Sequence, residues 1–319
     1  MAPAIETDQL TKDFSVGFWR KRPYRALDRL SLQVDAGEVY GFLGPNGAGK
    51  TTTLKLLMQL IYPTSGSAHI LGRPVGDLAV RRRIGYLPEN PYFYDYLTAE
   101  ELLAYFASLF GMPSAERATR VAALLDDVGL GGERRLQLRK FSKGMVQRVG
   151  IAQALLNRPE VVFLDEPMSG LDPLGRRDIR ALILRLREQG TTVFFSSHIL
   201  SDAEALCSRV GILSGGRLAS SGRLTDLVAY EIRGYELVVT NLSSTALDRL
   251  RPRITRMTAL DEGRSVLELP KDAPTAAIVA DLAAAGANLV SLNPLHATLE
   301  ELFVRQVGAT ESARTGALS

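Results

Sequence analysis

The segment Gly44-Pro45-Asn46-Gly47-Ala48-Gly49-Lys50-Thr51-Thr52 constrains this chain more than any other. It follows an apolar run, Val39 to Leu43, and opens an amphipathic stretch that the spacing predicts as a helix over Gly49 to Leu60. Glycines let the backbone curl so that successive N–H groups point at one spot, and a helix N-terminus adds its partial positive charge there. The pattern and its strand and helix context are those of a phosphate-binding loop (P-loop). Lys50 would reach the β- and γ-phosphates of a nucleotide, and the Thr51 hydroxyl would ligand Mg²⁺. The alternative, a Gly-rich turn, leaves the lysine and the following threonines unexplained.

Around this loop, up to about residue 224, short β-branched or aromatic runs alternate with longer amphipathic stretches. Predicted strands are Val39 to Leu43, Val161 to Leu164, Val193 to Ser196 and Val210 to Leu213. Predicted helices are Ala99 to Phe110, Ala115 to Asp127, Gly144 to Asn157 and Leu174 to Gln189. Such alternation reads as α/β, a mostly parallel sheet flanked by helices. After Gly222 the texture changes to Tyr235 to Val239 (strand), Thr245 to Leu250 (helix), Ile254 to Met257 and Val266 to Leu269 (strands), Thr275 to Ala285 (helix) and Leu289 to Leu292 (strand). The order βαββαβ is that of a small split-βαβ, ferredoxin-like module, with a loose accessory tail as the alternative. The expected organisation is therefore residues 1–224, an α+β module over 225–308, and a frayed tail over 309–319.

Composition excludes several classes. The 319 residues carry 46% hydrophobic and 23% charged side chains, so wholesale disorder is ruled out. Net charge is +3, and residues 231–319 hold nine basic and eleven acidic groups, so there is no basic nucleic-acid arm. The long uncharged runs, Leu56 to Gly72 and Leu282 to Leu299, are broken by Pro, Gly, Ser, Asn or His, which argues against a membrane helix. A single cysteine, Cys207, and an opening MAPAIETDQL without a signal pattern fit a reducing, cytoplasmic compartment. Cys207 is expected only to fill space.

A second chemical element is Val161-Val162-Phe163-Leu164-Asp165-Glu166-Pro167, an apolar strand that ends in two carboxylates. Ligands of open parallel sheets sit at the carboxyl ends of strands, where the P-loop delivers phosphates. Asp165 would hold Mg²⁺ and Glu166 would polarise an attacking water as general base. Without the P-loop, the same pair would read as a solvated strand end. Between the two lies Phe141-Ser142-Lys143-Gly144-Met145-Val146-Gln147-Arg148, which alone is a Ser N-cap before a helix. Taken together, these motifs resemble the ATP-binding cassette (ABC) family, in family order, over residues 5 to about 222.

The resemblance implies a P-loop NTPase fold of ABC type, with an N-terminal antiparallel β region and a helical subdomain. It implies ATP and Mg²⁺ as ligands, and a head-to-tail homodimer in which each ATP lies between one subunit's P-loop and the other's signature. Gly44, Asn46, Gly47, Ala48, Gly49, Lys50, Thr51 and Thr52 would then hold the phosphates in cis, and Ser142 and Gly144 would touch them in trans. Lys143 and Met145 depart from the commonest signature, LSGGQ, which implies altered affinity. Ser169-Gly170-Leu171-Asp172 resembles the D-loop, which puts Asp172 with the nucleotide-binding set, and Ser197-His198 resembles the switch histidine. Leu87-Pro88-Glu89-Asn90 falls where the family has its Q-loop, with Glu89 in place of glutamine as a third Mg²⁺ group beside Thr51 and Asp165. Phe14 is the preferred adenine-stacking aromatic, with Tyr24 as runner-up and Phe18 to Tyr24 as an insertion in the hairpin. The basic run Arg20 to Arg22 reads as solvated rather than lipid-bound.

The C-terminal module, ending in Ala297-Thr298-Leu299-Glu300-Glu301-Leu302-Phe303, is similar to the extension on ATPase subunits of ABC exporters. That implies a separately encoded multi-spanning membrane permease as partner, with this chain on the cytoplasmic face through it and no nucleic acid partner. Two rivals remain at this point: a soluble ABC ATPase acting on ribosomes or DNA, and a regulatory module without turnover. One P-loop and no sustained heptads count against the first, and intact Lys50, Asp165, Glu166 and His198 against the second.

Overall fold

A computed structural model describes residues 3–304 except 18–21, 228–231, 261–262, 297–298 and 302. Phe18 to Lys21 of the hairpin insertion, parts of the segment Ala297 to Phe303 and the tail 309–319 therefore lie outside the described residues. Two compact units are present, one built on Met1–Leu224 and the other spanning Thr225–Leu302.

In the first unit, strands β1 (Ile5–Val16), β2 (Arg22–Val34), β4 (Ser65–Ile70) and β5 (Arg73–Pro74) form an antiparallel sheet in the order β2-β1-β4-β5. A second sheet has six strands in the order β10-β9-β3-β8-β7-β6. These are β3 (Val39–Leu43), β6 (Ile84–Leu87), β7 (Val161–Asp165), β8 (Thr192–Ser197), β9 (Arg209–Ser214) and β10 (Arg217–Arg223). Neighbours from β9 through β6 run parallel, and only β10 is antiparallel to its neighbour. Every residue of β3, β7 and β8 is buried. That is why these strands read as continuous apolar runs rather than alternating ones: a parallel sheet is covered on both faces. Phe194 packs against Tyr40, Phe42 and Phe163 with ring centroids 5.6, 5.2 and 5.8 Å away, which ties β3, β8 and β7 together. Cys207 is buried, with its Sγ in the space that a Cβ on Gly41 would need.

Helices α1 (Lys50–Leu57), α2 (Leu78–Arg81), α3 (Ala99–Leu109), α4 (Ser114–Asp127), α5 (Lys143–Ala154), α6 (Pro173–Glu188), α7 (Leu200–Leu206) and the single turn α8 (Leu224–Leu227) complete the described helices up to that point. Helix α1 is shorter than the periodicity predicts. Met58 caps it, and Gln59 takes φ 52°, a left-handed conformation that ends a helix. Helices α3, α4 and α5 pack on one another as a helical subdomain. A capping box starts α3: Thr98 Oγ1 accepts from Glu101 N at 3.2 Å, and Glu101 Oε2 accepts from Thr98 N at 2.9 Å.

The second unit contains β11 (Ile232–Thr240), α9 (Ser244–Leu250), β12 (Arg256–Ala259), β13 (Arg264–Pro270), α10 (Thr275–Ala284) and β14 (Asn288–His296). Its antiparallel sheet runs β12-β13-β11-β14, the βαββαβ order of a ferredoxin-like module. One apolar core holds it, from Leu237, Val239, Leu267 and Leu269 on the strands to Leu250, Ile278 and Leu282 on the helices. The strand predicted from Ile254 starts later, at Arg256, because Pro252 sits in a 3₁₀ turn over Arg251–Arg253 and Ile254 only leaves it. No helix among the described residues is long and apolar enough to cross a membrane.

Candidate functional site

The site forms where β3, β7 and β8 end. Leaving β3, the chain turns sharply at Gly44, where a Cβ would lie 2.5 Å from the carbonyl oxygen of Leu213, so only glycine fits. At Gly49 φ is 109°, a conformation closed to L side chains, and a Cβ there would also meet Ala26 O at 2.7 Å. The loop thus delivers α1 with Gly49 as its N-cap. No side chain caps this helix, and no acidic residue stands in its first turn. Its first amides are left for a ligand, and the helix dipole favours an anion.

Lys50 is buried, and its Nζ donates to the carbonyls of Gly44 at 2.7 Å and Pro45 at 3.3 Å. These bonds hold the ammonium within the loop, 3.5 Å from Glu166 Oε1. Across the site, Glu166 Oε2 lies 2.9 Å from His198 Nδ1. Glu166 is only 7% exposed, whereas His198 at the end of β8 is exposed. One carboxylate therefore bridges the P-loop lysine and the histidine. Glu166 also takes φ 50° immediately before Pro167, a strained backbone that costs on the order of 1–3 kcal/mol. Several bonds hold it: Glu166 N donates to Ser196 O and Oγ at 3.2 Å each, and Glu166 O accepts from Ser169 N at 3.0 Å and from Gln147 Nε2 at 3.2 Å.

Asp165 is fully buried at the end of β7. Burial pushes its carboxyl above the usual range, opposed by the Ser196 hydroxyl, which donates to Oδ1 at 2.5 Å, and by the nearby Thr51 hydroxyl. The negative charge of Glu89 pushes in the same direction as burial. Among the described residues Oδ2 has no hydrogen-bond partner. A buried carboxylate oxygen without a donor is an acceptor prepared for a cation, so the residues fit Mg²⁺. No group of three His, Cys, Asp or Glu among the described residues could hold a metal by itself.

One cavity is lined by Phe14, Tyr24, Asn46, Gly47, Gly49, Lys50, Thr51, Thr52, Glu89 and Glu166 together. Phe14 and Tyr24 are directly opposite on β1 and β2, so the hairpin brings both adenine-stacking candidates to the same cavity. Lys12 Nζ stands 5.1 Å over the Phe14 ring. Ala48, within the loop, is buried.

Ser142, Gly144 and Asp172 are not in this cavity. They line another, with Gly170 and Leu171. Ser142 caps α5, accepting from Met145 N at 3.3 Å, as its sequence position predicts. Asp172 is committed to capping α6, its Oδ1 accepting from Gly175 N at 2.7 Å. Its assignment to nucleotide binding therefore has no support within one chain. Ser196, Gln147 and the buried Asp202 escaped the sequence reading. The available signal was a polar side chain inside an otherwise buried run: Gln147 shares the apolar stripe of Gly150, Ile151 and Ala154, and Ser196 follows the apolar Val193 to Phe195 within β8.

A P-loop at the end of a buried parallel strand, with two carboxylates at the end of another, defines a P-loop nucleoside triphosphatase. The profile of the ABC transporter family matches residues 27–169. An ABC transporter ATP-binding protein of Synechocystis is 46% identical over 96% of this chain and 85% of its own length. The bacitracin transport ATP-binding protein BcrA of Bacillus licheniformis is 43% identical over 68% of this chain and 69% of its own. A dimeric ATP-binding cassette solved in a post-hydrolysis state bound to ADP and Pi is 28% identical, covers 69% of this chain and 98% of its own, and superposes with a TM-score of 0.64. The chain belongs to the ABC transporter ATP-binding proteins and is an ATPase of that family.

Proposed function

We propose that this chain is the ATP-hydrolysing subunit of an ABC exporter, acting as a head-to-tail homodimer on a separately encoded multi-spanning permease at the cytoplasmic face of the membrane. The observation that carries the dimer is the separation of two half-sites. Lys50, Glu166 and Asp165 gather at the P-loop, while Ser142 and Gly144 open a different cavity. A second copy turned head to tail would bring its signature end of α5 to the phosphates, and ATP would hold the pair together by favouring the closed state.

Within each closed site, the open N-terminus of α1 and Lys50 would bind the phosphates. Glu166 would take a proton from the attacking water, with His198 holding its other oxygen. Thr51, Asp165 and Glu89 would hold Mg²⁺, which when bound neutralises phosphate charge. Phe14, with Tyr24 beside it, would stack on the adenine. The module over Thr225–Leu302 is then an accessory domain of the exporter type.

Two features support the permease. Tyr92, Tyr94 and Tyr96, just after Glu89, are all more than half exposed, and Leu109 and Phe110 at the end of α3 are also exposed, apolar surface that a membrane partner would cover. BcrA of Bacillus licheniformis is by name a bacitracin transport protein, and LnrL of Bacillus subtilis, 32% identical, a linearmycin resistance protein. The test is purification of Glu166→Gln from native membranes in mild detergent with Mg·ATP. A stoichiometric multi-spanning chain in the eluate is the expected result. Ribosomal or DNA-repair proteins alone would overturn the exporter reading.

A further inference from the structure

Gln147 is a polar side chain in the buried stripe of α5, only 2% exposed, and nothing in the phosphate chemistry described above uses it. Its amide reaches from α5 to the end of β7 and donates to the main-chain oxygen of Glu166. That oxygen belongs to the peptide between Glu166 and Pro167, at the residue held at φ 50°. The plane of this peptide sets the direction in which the Glu166 side chain leaves the backbone, and so the 2.9 Å contact with His198 and the 3.5 Å approach to Lys50. Ser196 fixes the N–H side of Glu166, and Gln147 together with Ser169 N fixes the carbonyl side.

The helix bearing Gln147 begins at Ser142, five residues or about 7.5 Å along the axis. A helix is stiff over that length. A shift of its N-terminal end, where Ser142 and Gly144 lie, would therefore be carried to the anchor of Glu166 in the same chain. Resting on the dimer reading above, we infer that Gln147 is a positioning residue for Glu166, and that through it α5 ties the signature contact with one ATP to the general base acting on the other. Each half-site then reports its occupancy to its neighbour through one side-chain amide.

The test is steady-state hydrolysis by the full-length chain, comparing wild type with Gln147→Met, which keeps the volume but has no N–H, and Gln147→Lys, which restores a donor. Binding of radiolabelled ATP, dimer formation in the Glu166→Gln background and unfolding temperature are measured on the same proteins. The expected result is a fall in kcat of about tenfold to a hundredfold for Gln147→Met, as for a misplaced reacting group. KM, ATP binding and ATP-dependent dimer formation should stay within about twofold, the pattern of an interaction realised in the transition state. Gln147→Lys should recover most of the lost kcat. Three outcomes would overturn the inference: unchanged kcat in Gln147→Met, loss of ATP binding and unfolding temperature along with kcat, or Gln147→Lys no more active than Gln147→Met. Failure of the underlying site reading looks different, since wild type would then be no more active than Lys50→Ala.

Discussion

The two units solve opposite problems. In the second, the core is apolar throughout, and the one buried polar side chain among its described residues is Ser265. In the first, Lys50, Asp165, Glu166, Gln147, Ser196 and Asp202 are all buried, and Glu166 sits on strained backbone. Buried charge and strain cost stability unless neighbours hold them. The aromatic cluster around Phe194 and the fully buried strands supply that support one layer below the site. The difference teaches where function is written in this chain: at strand ends of one sheet, underwritten by the packing beneath, whereas the other sheet is organised for folding.

The contrast can be broken most directly at its charged end. Lys50→Ala and Glu166→Gln should each lower ATP hydrolysis by about 10²–10⁴-fold, read as phosphate release. Activity within tenfold of wild type would remove the site from this strand end. The supporting layer comes next. Phe194→Ala should destabilise the first unit by about 3–5 kcal/mol and Leu267→Ala the second by about 2–5 kcal/mol. Calorimetry should show only the affected unit's transition moving, and Leu267→Ala should keep hydrolysis within about twofold, because Leu267 belongs to the core of the second unit and none of the site residues does.

Asp165→Asn separates function from stability, because it should abolish hydrolysis yet raise the unfolding temperature of the nucleotide-free protein, roughly 2–4 °C for each 1 kcal/mol recovered. The sign follows from burial. Asp165 titrates in the folded state above its ordinary value of 3.8, so the native state holds the proton more tightly than the unfolded chain. Stability then falls as pH rises from 3.8 through the raised pKa, and the asparagine variant should lack that slope in pH-dependent melts. The smallest effect compares like with like. Thr98→Ala at the start of α3 and Ser243→Ala at the start of α9, whose hydroxyl accepts from Ala246 N at 3.2 Å, should each cost about 1 kcal/mol in chemical denaturation.

Much of the first unit was legible because its signals are local. A phosphate-binding loop needs glycine where a Cβ would strike Leu213 or Ala26, and buried parallel strands need uninterrupted apolar residues, so both leave a pattern in consecutive positions. Helix ends were less legible. Gln59 at φ 52° stops α1 three residues before the apolar periodicity does, and Pro252 delays β12. The partners that hold Glu166 were not legible as partners. Gln147 and Ser196 lie 19 and 30 residues from it, and no local rule pairs them.

The sequence alone determined the phosphate cradle, the two carboxylates at a strand end, the position of His198 after β8 and the βαββαβ order of the second unit, because each depends on residue type at fixed short spacing. Only the tertiary structure decided that Glu166 bridges Lys50 and His198, that one Asp165 oxygen has no hydrogen-bond partner among the described residues, and that Ser142 opens a different cavity from the P-loop. Those facts depend on distances between strands and helices far apart in the chain, which are set by how the aromatic core closes and not by any run of neighbouring residues.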